Sequence, residues 1–174
     1  MKTILILRHA KSDWDDLSLP DFDRPLAKRG RNDAPRMGQV LALYECMPDM
    51  ILSSPAKRAK QTAEHVAEAC GYRKSIRWEE SFYGGSSDDL IVALKGLPET
   101  IQRPLLIGHN PTLEETVADL LSPHKDGWYH EWSIRIPTAG LICLNVNVTD
   151  WSTLEPGDAV LHWFLIPRLV KAIE

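Results

Sequence analysis

Four side chains in this sequence are suited by type and position to bind and transfer a phosphoryl group. Arg8 stands next to His9, Arg58 follows a pair of serines, and His109 follows a glycine. Arginine is a permanent cation whose forked N–H donors match the oxygens of phosphate. One histidine could attack phosphorus and form a covalent phospho-enzyme, and the other could donate to the charged oxygens of the transition state. The residue types therefore indicate a phosphoryl site.

Short apolar runs precede these four side chains. These runs are typical of strands that are buried on both faces of a parallel sheet; they are Thr3 to Leu7, Met50 to Leu52 and Leu105 to Ile107. Because ligands of open α/β sheets bind beyond the carboxyl ends of the strands, we expect the four side chains to face one crevice.

Helices are predicted between these strands. Apolar spacing and turn residues predict helices over 27–44, 55–69, 87–97 and 112–121 and after Pro167, with Ser54 as the N-cap of the second. Two further strands are predicted over 141–148 and 160–165. The alternation predicts an α/β fold, a three-layer α/β/α sandwich with a mostly parallel central sheet, in a single domain of residues 1–174. The polar and aromatic composition of residues 122–133 predicts a surface loop. The helices after Pro55 and Pro111 should point their N-terminal N–H groups towards the crevice, where they favour anions.

Composition argues against several classes of partner. The net charge of -4 gives no general attraction to nucleic acid or to an anionic membrane, and no apolar run approaches the roughly 18 residues of a membrane span. Cys46, Cys70 and Cys143 are odd in number and have no metal-like spacing, which favours free thiols in a reducing compartment. The N-terminus makes a poor signal peptide. We therefore expect a cytoplasmic protein without a metal or cofactor.

The motifs that carry these residues resemble those of the histidine phosphatase superfamily, which includes the phosphoglycerate mutases. The family's Arg-His-Gly strand end resembles Arg8-His9-Ala10, its Ser-Ser-Pro-x-x-Arg-Ala-x-x-Thr-Ala motif matches residues 53–63 in full, and its Gly-His matches Gly108-His109. The resemblance implies a metal-independent phosphatase in which His9 is the nucleophile. It also implies that Arg8, Arg58 and His109 bind the phosphate. We expect His9 to be neutral and His109 to be cationic.

A carboxylic acid is the family's usual proton donor. Residues 80–84 resemble the Glu-x-x-Tyr-Gly of the mutases, which implies Glu80 as the general acid, with Glu79 as its rival. Two positions depart from the family pattern. Ala10 replaces the usual glycine, and Asp15 stands where mutases have an asparagine that contacts phosphate, which argues against mutase activity.

The chain is most similar to the short bacterial phosphohistidine phosphatases of the SixA type. Asp23-Arg24-Pro25-Leu26 and Gly30 resemble a segment of that group, and the short span between Ala63 and Gly108 predicts an open pocket. The implied substrate is phosphohistidine on a protein, such as a histidine phosphotransfer domain, with inorganic phosphate as product. The alternatives are a broad-specificity phosphomonoesterase of small metabolites, a non-catalytic phosphate-binding module, and a phosphocarrier that passes the phosphate of His9 on.

Overall fold

The computed structural model describes residues 1–122 and 134–171. Its strands are β1 (Lys2–Arg8), β2 (Met50–Ser53), β3 (Arg77–Trp78), β4 (Pro104–Gly108), β5 (Leu141–Val146) and β6 (Ala159–Leu165). Its α-helices are α1 (Lys28–Leu43), α2 (Lys57–Cys70), α3 (Ser87–Lys95), α4 (Thr112–Leu121) and α5 (Pro167–Lys171). None of these helices is long and apolar enough to cross a membrane.

The described strands form one sheet in the order β3-β2-β4-β1-β5-β6. The first four run parallel, whereas β5 lies antiparallel to both of its neighbours. Arg8 on β1 pairs with Gly108 on β4, and Ser53 on β2 pairs with Ile107 on β4. The register therefore brings the carboxyl ends of β1, β2 and β4 side by side at one edge of the sheet.

The sheet is covered on both faces, because successive side chains of its strands point in opposite directions. Leu5 and Leu7 of β1 pack into a core with α1, α2 and α5. Ile4 and Ile6 of the same strand pack into a second core with α3 and α4. The predicted three-layer α/β/α sandwich is thus confirmed.

One predicted helix start is wrong. Helix α2 begins at Lys57, its N-cap is Ala56, and no side chain caps it. Ser54 lies further upstream, where its Oγ accepts a hydrogen bond from the Ala56 N–H at 3.3 Å and is free to serve the site described below. Of the predicted surface loop over 122–133, residues 123–133 lie outside the described part of the chain.

The segment between β1 and α1 is tied down at both ends. The Ala27 N–H donates to the Lys11 carbonyl at 2.9 Å, and the Asp13 N–H donates to the Pro25 carbonyl at 2.8 Å. Gly30 in α1 packs directly on Lys11, where a Cβ would collide with the Lys11 carbonyl oxygen. This close approach explains why a glycine stands in the first turn of α1, and it holds the intervening loop over the sheet edge.

Candidate active site

The structure brings the two histidines and Arg58 together at the edge where β1, β2 and β4 end. The rings of His9 and His109 lie 4.9 Å apart between centroids, and the Arg58 Nε lies 3.3 Å from the His9 Nε2. Backbone pairing continues past the strands, since the His9 N–H donates to the Gly108 carbonyl at 3.0 Å. Residues from three separate segments are therefore fixed to one framework.

The hydrogen bonds of His9 define its tautomer. Its Nδ1 lies 2.8 Å from the carbonyl oxygen of Ala10, which can only accept, so Nδ1 carries the proton. Arg58 Nε–H can only donate, so His9 Nε2 must offer its lone pair. Both contacts agree on a neutral imidazole whose basic nitrogen faces Arg58.

The surroundings of His9 keep it neutral. Burial lowers the pKa of His9 to about 3, and the charges of Arg58 and Arg8 act in the same direction, against a smaller opposing effect of the Ala10 carbonyl. A neutral imidazole keeps an unprotonated Nε2, whose lone pair nucleophilic attack requires. The expected neutral state of His9 thus agrees with its surroundings.

The expected positive charge of His109 is wrong for this arrangement of side chains. Burial and the charge of Arg58 lower the pKa of His109 to about 4, although Asp21 opposes them. The His109 Nε2 lies 2.9 Å from the Ser54 Oγ, while its Nδ1 is buried without a hydrogen-bond partner. His109 is therefore neutral at neutral pH until an anion adds compensating charge.

The guanidinium of Arg58 is held at both ends. Besides its contact with His9, its Nη1 donates to the Asp21 carbonyl at 2.6 Å and its Nη2 donates to the Asp21 carboxylate at 2.9 Å. Arg58 is 8% exposed, whereas half of the Asp21 side chain stays exposed. Asp21 thus forms the solvent-facing side of this arginine. No periodic pattern marks it in the sequence, because the short 3-10 turn Asp21–Asp23 lies in a polar stretch.

A threonine links the first and second motifs. The Thr62 Oγ1 accepts the Ala10 N–H at 3.0 Å and donates its own proton to the Arg58 carbonyl at 2.6 Å. Ala10 is fully buried and its φ is not positive, so the backbone there accommodates a Cβ in place of the family's glycine. The threonine of the motif therefore fixes His9 and Arg58 relative to each other.

Arg8 is the last residue of β1 and directly precedes His9. Its Nη1 donates to the Ile136 carbonyl at 2.8 Å, and its Nε is buried without a partner. Burial lowers the pKa of Arg8, with Glu114 acting against this and Arg58 with it. A buried N–H donor that lacks a partner is costly, and a phosphate oxygen would satisfy it.

Glu80 does not contact the two histidines. It begins a 3-10 turn (Glu80–Phe82) and is exposed, and within residues 1–122 and 134–171 no hydrogen bond or ion pair joins its side chain to His9. Glu79, the rival candidate, pairs with Arg77. The role of Glu80 as the general acid stays a prediction.

Tyr83, three residues after Glu80, does reach the site. Its ring lies 5.5 Å from the ring of His109 and 5.0 Å from that of Phe22. Its O–H donates to the Asp21 carboxylate at 3.1 Å. Asp21 and Tyr83 are the site residues that sequence reasoning missed, and only the tyrosine carried a signal, as part of the mutase-like motif.

No metal site accompanies this cluster: in the described part of the chain, no three histidine, cysteine, aspartate or glutamate side chains are placed to hold a metal ion.

Comparisons with known proteins place this site in a family. Residues 4–89 match the model of the histidine phosphatase superfamily (branch 1). An uncharacterized protein of Mycobacterium tuberculosis is 33% identical over 93% of this chain and 100% of its own length. An uncharacterized chloroplastic protein of Arabidopsis thaliana is 36% identical over 86% of this chain and 69% of its own length. A solved structure of SixA from Agrobacterium tumefaciens, assigned as a phosphohistidine phosphatase, is 29% identical with a TM-score of 0.77, over 95% of this chain and 98% of that one.

The fold and these similarities define an enzyme that removes phosphoryl groups by hydrolysis. The chain belongs to the histidine phosphatase superfamily. It is a phosphatase, and the enzymes of this superfamily work without a metal ion.

Proposed function

We propose that this phosphatase removes the phosphoryl group from phosphohistidine on a protein, through a covalent phospho-His9 intermediate. A histidine phosphotransfer domain is one such protein. The similarity to SixA, which covers nearly the whole of both chains, supports this class of substrate. The open surroundings of Asp21 and Tyr83, both exposed, leave room for a side chain that belongs to another protein.

In the proposed reaction, the His9 Nε2 attacks phosphorus in line with the leaving nitrogen. The lone pair of Nε2 forms the new N–P bond, and the electrons of the old P–N bond return to the imidazole of the substrate, whose other ring nitrogen carries a proton, so that it leaves as neutral histidine. Arg8, Arg58 and His109 bind the phosphoryl oxygens and stabilise their charge. The oxygen of a water molecule then attacks phosphorus, the electrons of the Nε2–P bond return to His9, and inorganic phosphate leaves.

One observation carries the choice of phosphohistidine over an ester. Asp21 contacts this site through Arg58, and its carboxylate is held as an anion. Although burial acts to raise the pKa of Asp21, the hydrogen bonds and charge of Arg58 and the O–H of Tyr83 lower it below its ordinary value. An anion cannot protonate a leaving alkoxide, whereas the imidazole of phosphohistidine, once protonated on its other ring nitrogen, leaves as a neutral group without an acid from the enzyme.

Two further proposals concern the chain as a whole. We infer that residues 1–174 act as one catalytic domain, since one sheet with a core on each face includes every described strand. We also infer a reducing, cytoplasmic location, supported by Cys46, Cys70 and Cys143, which are all free thiols.

The test compares a histidine-phosphorylated protein with an alkyl phosphate ester such as glycerol phosphate, whose alkoxide needs a proton to leave, without added metal. We expect rapid release of phosphate from the protein substrate by the wild type, no turnover by His9→Ala, and less than about a threefold loss in Glu80→Gln. Acid quenching should trap phosphate on the wild-type enzyme.

The alternatives predict other results. If the ester is the better substrate and Glu80→Gln is nearly inactive, the protein is a phosphomonoesterase of small metabolites. A phospho-enzyme that persists until an acceptor protein is added would identify a phosphocarrier. Normal turnover by His9→Ala would refute the mechanism itself.

A further inference from the structure

The carboxylate of Asp21 lies close to the nucleophile but is not part of the phosphate-binding set. Arg58 donates to the His9 Nε2 through its Nε and to the Asp21 Oδ2 through its Nη2, at 3.3 and 2.9 Å. His9 and Asp21 are therefore separated by the width of one guanidinium group. A second hydrogen bond, from the Tyr83 O–H at 3.1 Å, fixes the same carboxylate oxygen.

This position is a poor one for an anion if the site binds only phosphate. A carboxylate beside a phosphoryl group repels it and competes for the donors of Arg58. The charged groups beside it that would bind phosphate, Arg8 and Arg58, are both cations. A cationic group of the ligand at Asp21 would offset this repulsion, and half of the Asp21 side chain remains open to a ligand.

The groups around Asp21 favour a flat, cationic ligand. The rings of Phe22 and Tyr83 pack edge to face with their centroids 5.0 Å apart, and the Tyr83 O–H ends on Asp21. Aromatic faces attract cations, and a carboxylate accepts a strong hydrogen bond from a charged N–H. Phosphohistidine offers such a group when the ring nitrogen that does not bear phosphorus is protonated.

We propose that Asp21, flanked by Phe22 and Tyr83, binds the imidazolium ring of phosphohistidine and so selects this substrate over phosphate esters. The inference rests on the proposed function and adds the residue that determines its specificity. Asp21 accepts the N–H of the substrate ring and favours the protonated ring. When the P–N bond breaks, its electron pair stays on the ring nitrogen, and the protonated ring leaves as neutral histidine with no proton donated by the enzyme.

The test measures kcat/KM on a histidine-phosphorylated peptide and on p-nitrophenyl phosphate. Asp21→Asn keeps an oxygen that can accept from Arg58 and Tyr83, and it removes only the charge. We expect this variant to lose its preference for the peptide by roughly 10- to 100-fold, because a hydrogen bond between charged groups becomes one to a neutral amide. Asp23→Asn is the matched control. It removes the same charge from the same turn, at a residue whose side chain has no hydrogen bond to Arg58, and should leave the preference unchanged.

Three results would overturn the inference. If Asp21→Asn lowers kcat/KM for both substrates by the same factor, Asp21 acts only by positioning Arg58. If Asp23→Asn changes the preference as much as Asp21→Asn, the effect is one of general charge. If the wild type prefers the ester, the proposed function has failed before any variant is compared, so the two failures are distinguishable.

Discussion

The two buried histidines should make the protein sensitive to mild acid, and the size of the effect follows from their pKa values. Unfolded, each histidine has an ordinary pKa near 6.5; folded, the pKa of His9 is about 3 and that of His109 is about 4. Between these limits the unfolded chain binds more protons than the native protein. The free energy of unfolding therefore rises with pH in this window, and the contribution of the histidines is lost as the pH falls below 6.5.

The loss can be worked out at a single pH. At about pH 5 both histidines are protonated in the unfolded chain and neutral in the native protein. Each therefore lowers the free energy of unfolding by about 2 kcal/mol relative to pH 8. Together they account for about 4 kcal/mol, a large part of the 5–15 kcal/mol typical of a domain. We predict that the double variant His9→Gln, His109→Gln loses about 4 kcal/mol less stability between these two pH values than the wild type does.

Urea unfolding at the two pH values measures this difference, and comparison within each variant cancels the direct effect of the substitutions. His162→Gln is the matched control, because His162 is exposed on β6 and its ring meets water in the folded and the unfolded chain. If the double variant loses as much stability as the wild type, the histidines are not held neutral by the fold, and the argument for a nucleophilic His9 loses its electrostatic basis.

Two other substitutions test the site and its support. Arg58→Lys keeps the charge but removes the forked donors shared by His9 and Asp21, so we expect kcat/KM to fall by about 100- to 1,000-fold on either substrate in steady-state assays; a loss below tenfold would show that charge alone suffices. Gly30→Ala places a Cβ against the Lys11 carbonyl and should cost about 1–3 kcal/mol in urea unfolding. In its control, Gly96→Ala, the nearest atom to the new Cβ is 3.5 Å away, so an equal loss there would refute the steric reasoning.

The fold could be predicted where burial leaves a pattern in the sequence. Strands β1, β2 and β4 are apolar because both faces of the sheet are covered, and their ends identified Arg8, His9 and His109. Strand β3 has two residues, both exposed, so no apolar run marks it. Helix α2 could not be placed to the residue, because Ser54, a favoured N-cap type, instead directs its hydroxyl to His109.

The part of the site that the sequence did not reveal depends on contacts between distant segments. Asp21 reaches Arg58 across 37 positions of sequence, and it does so from a loop with no periodicity. In the sequence alone, such an aspartate is one of many acidic residues in a polar stretch. The sequence indicated Asp15 as a carboxylate that could face the phosphate. In the structure Asp15 is exposed, and its N–H donates to the Asp13 Oδ1.

The charges that suit this site to phosphate add to the burial that keeps its histidines neutral. Burial is the largest effect on both rings, and Arg8 and Arg58 each lower the pKa of His9 and of His109 further. A bound phosphoryl group adds negative charge beside His109 and favours its protonated form. In the proposed mechanism His9 is less able to respond, because its Nδ1–H is already bonded to Ala10 and its Nε2 is the attacking atom. The same surroundings would then give two similar rings different roles: His9 attacks as a neutral base, and His109 becomes a cationic donor once the substrate is bound.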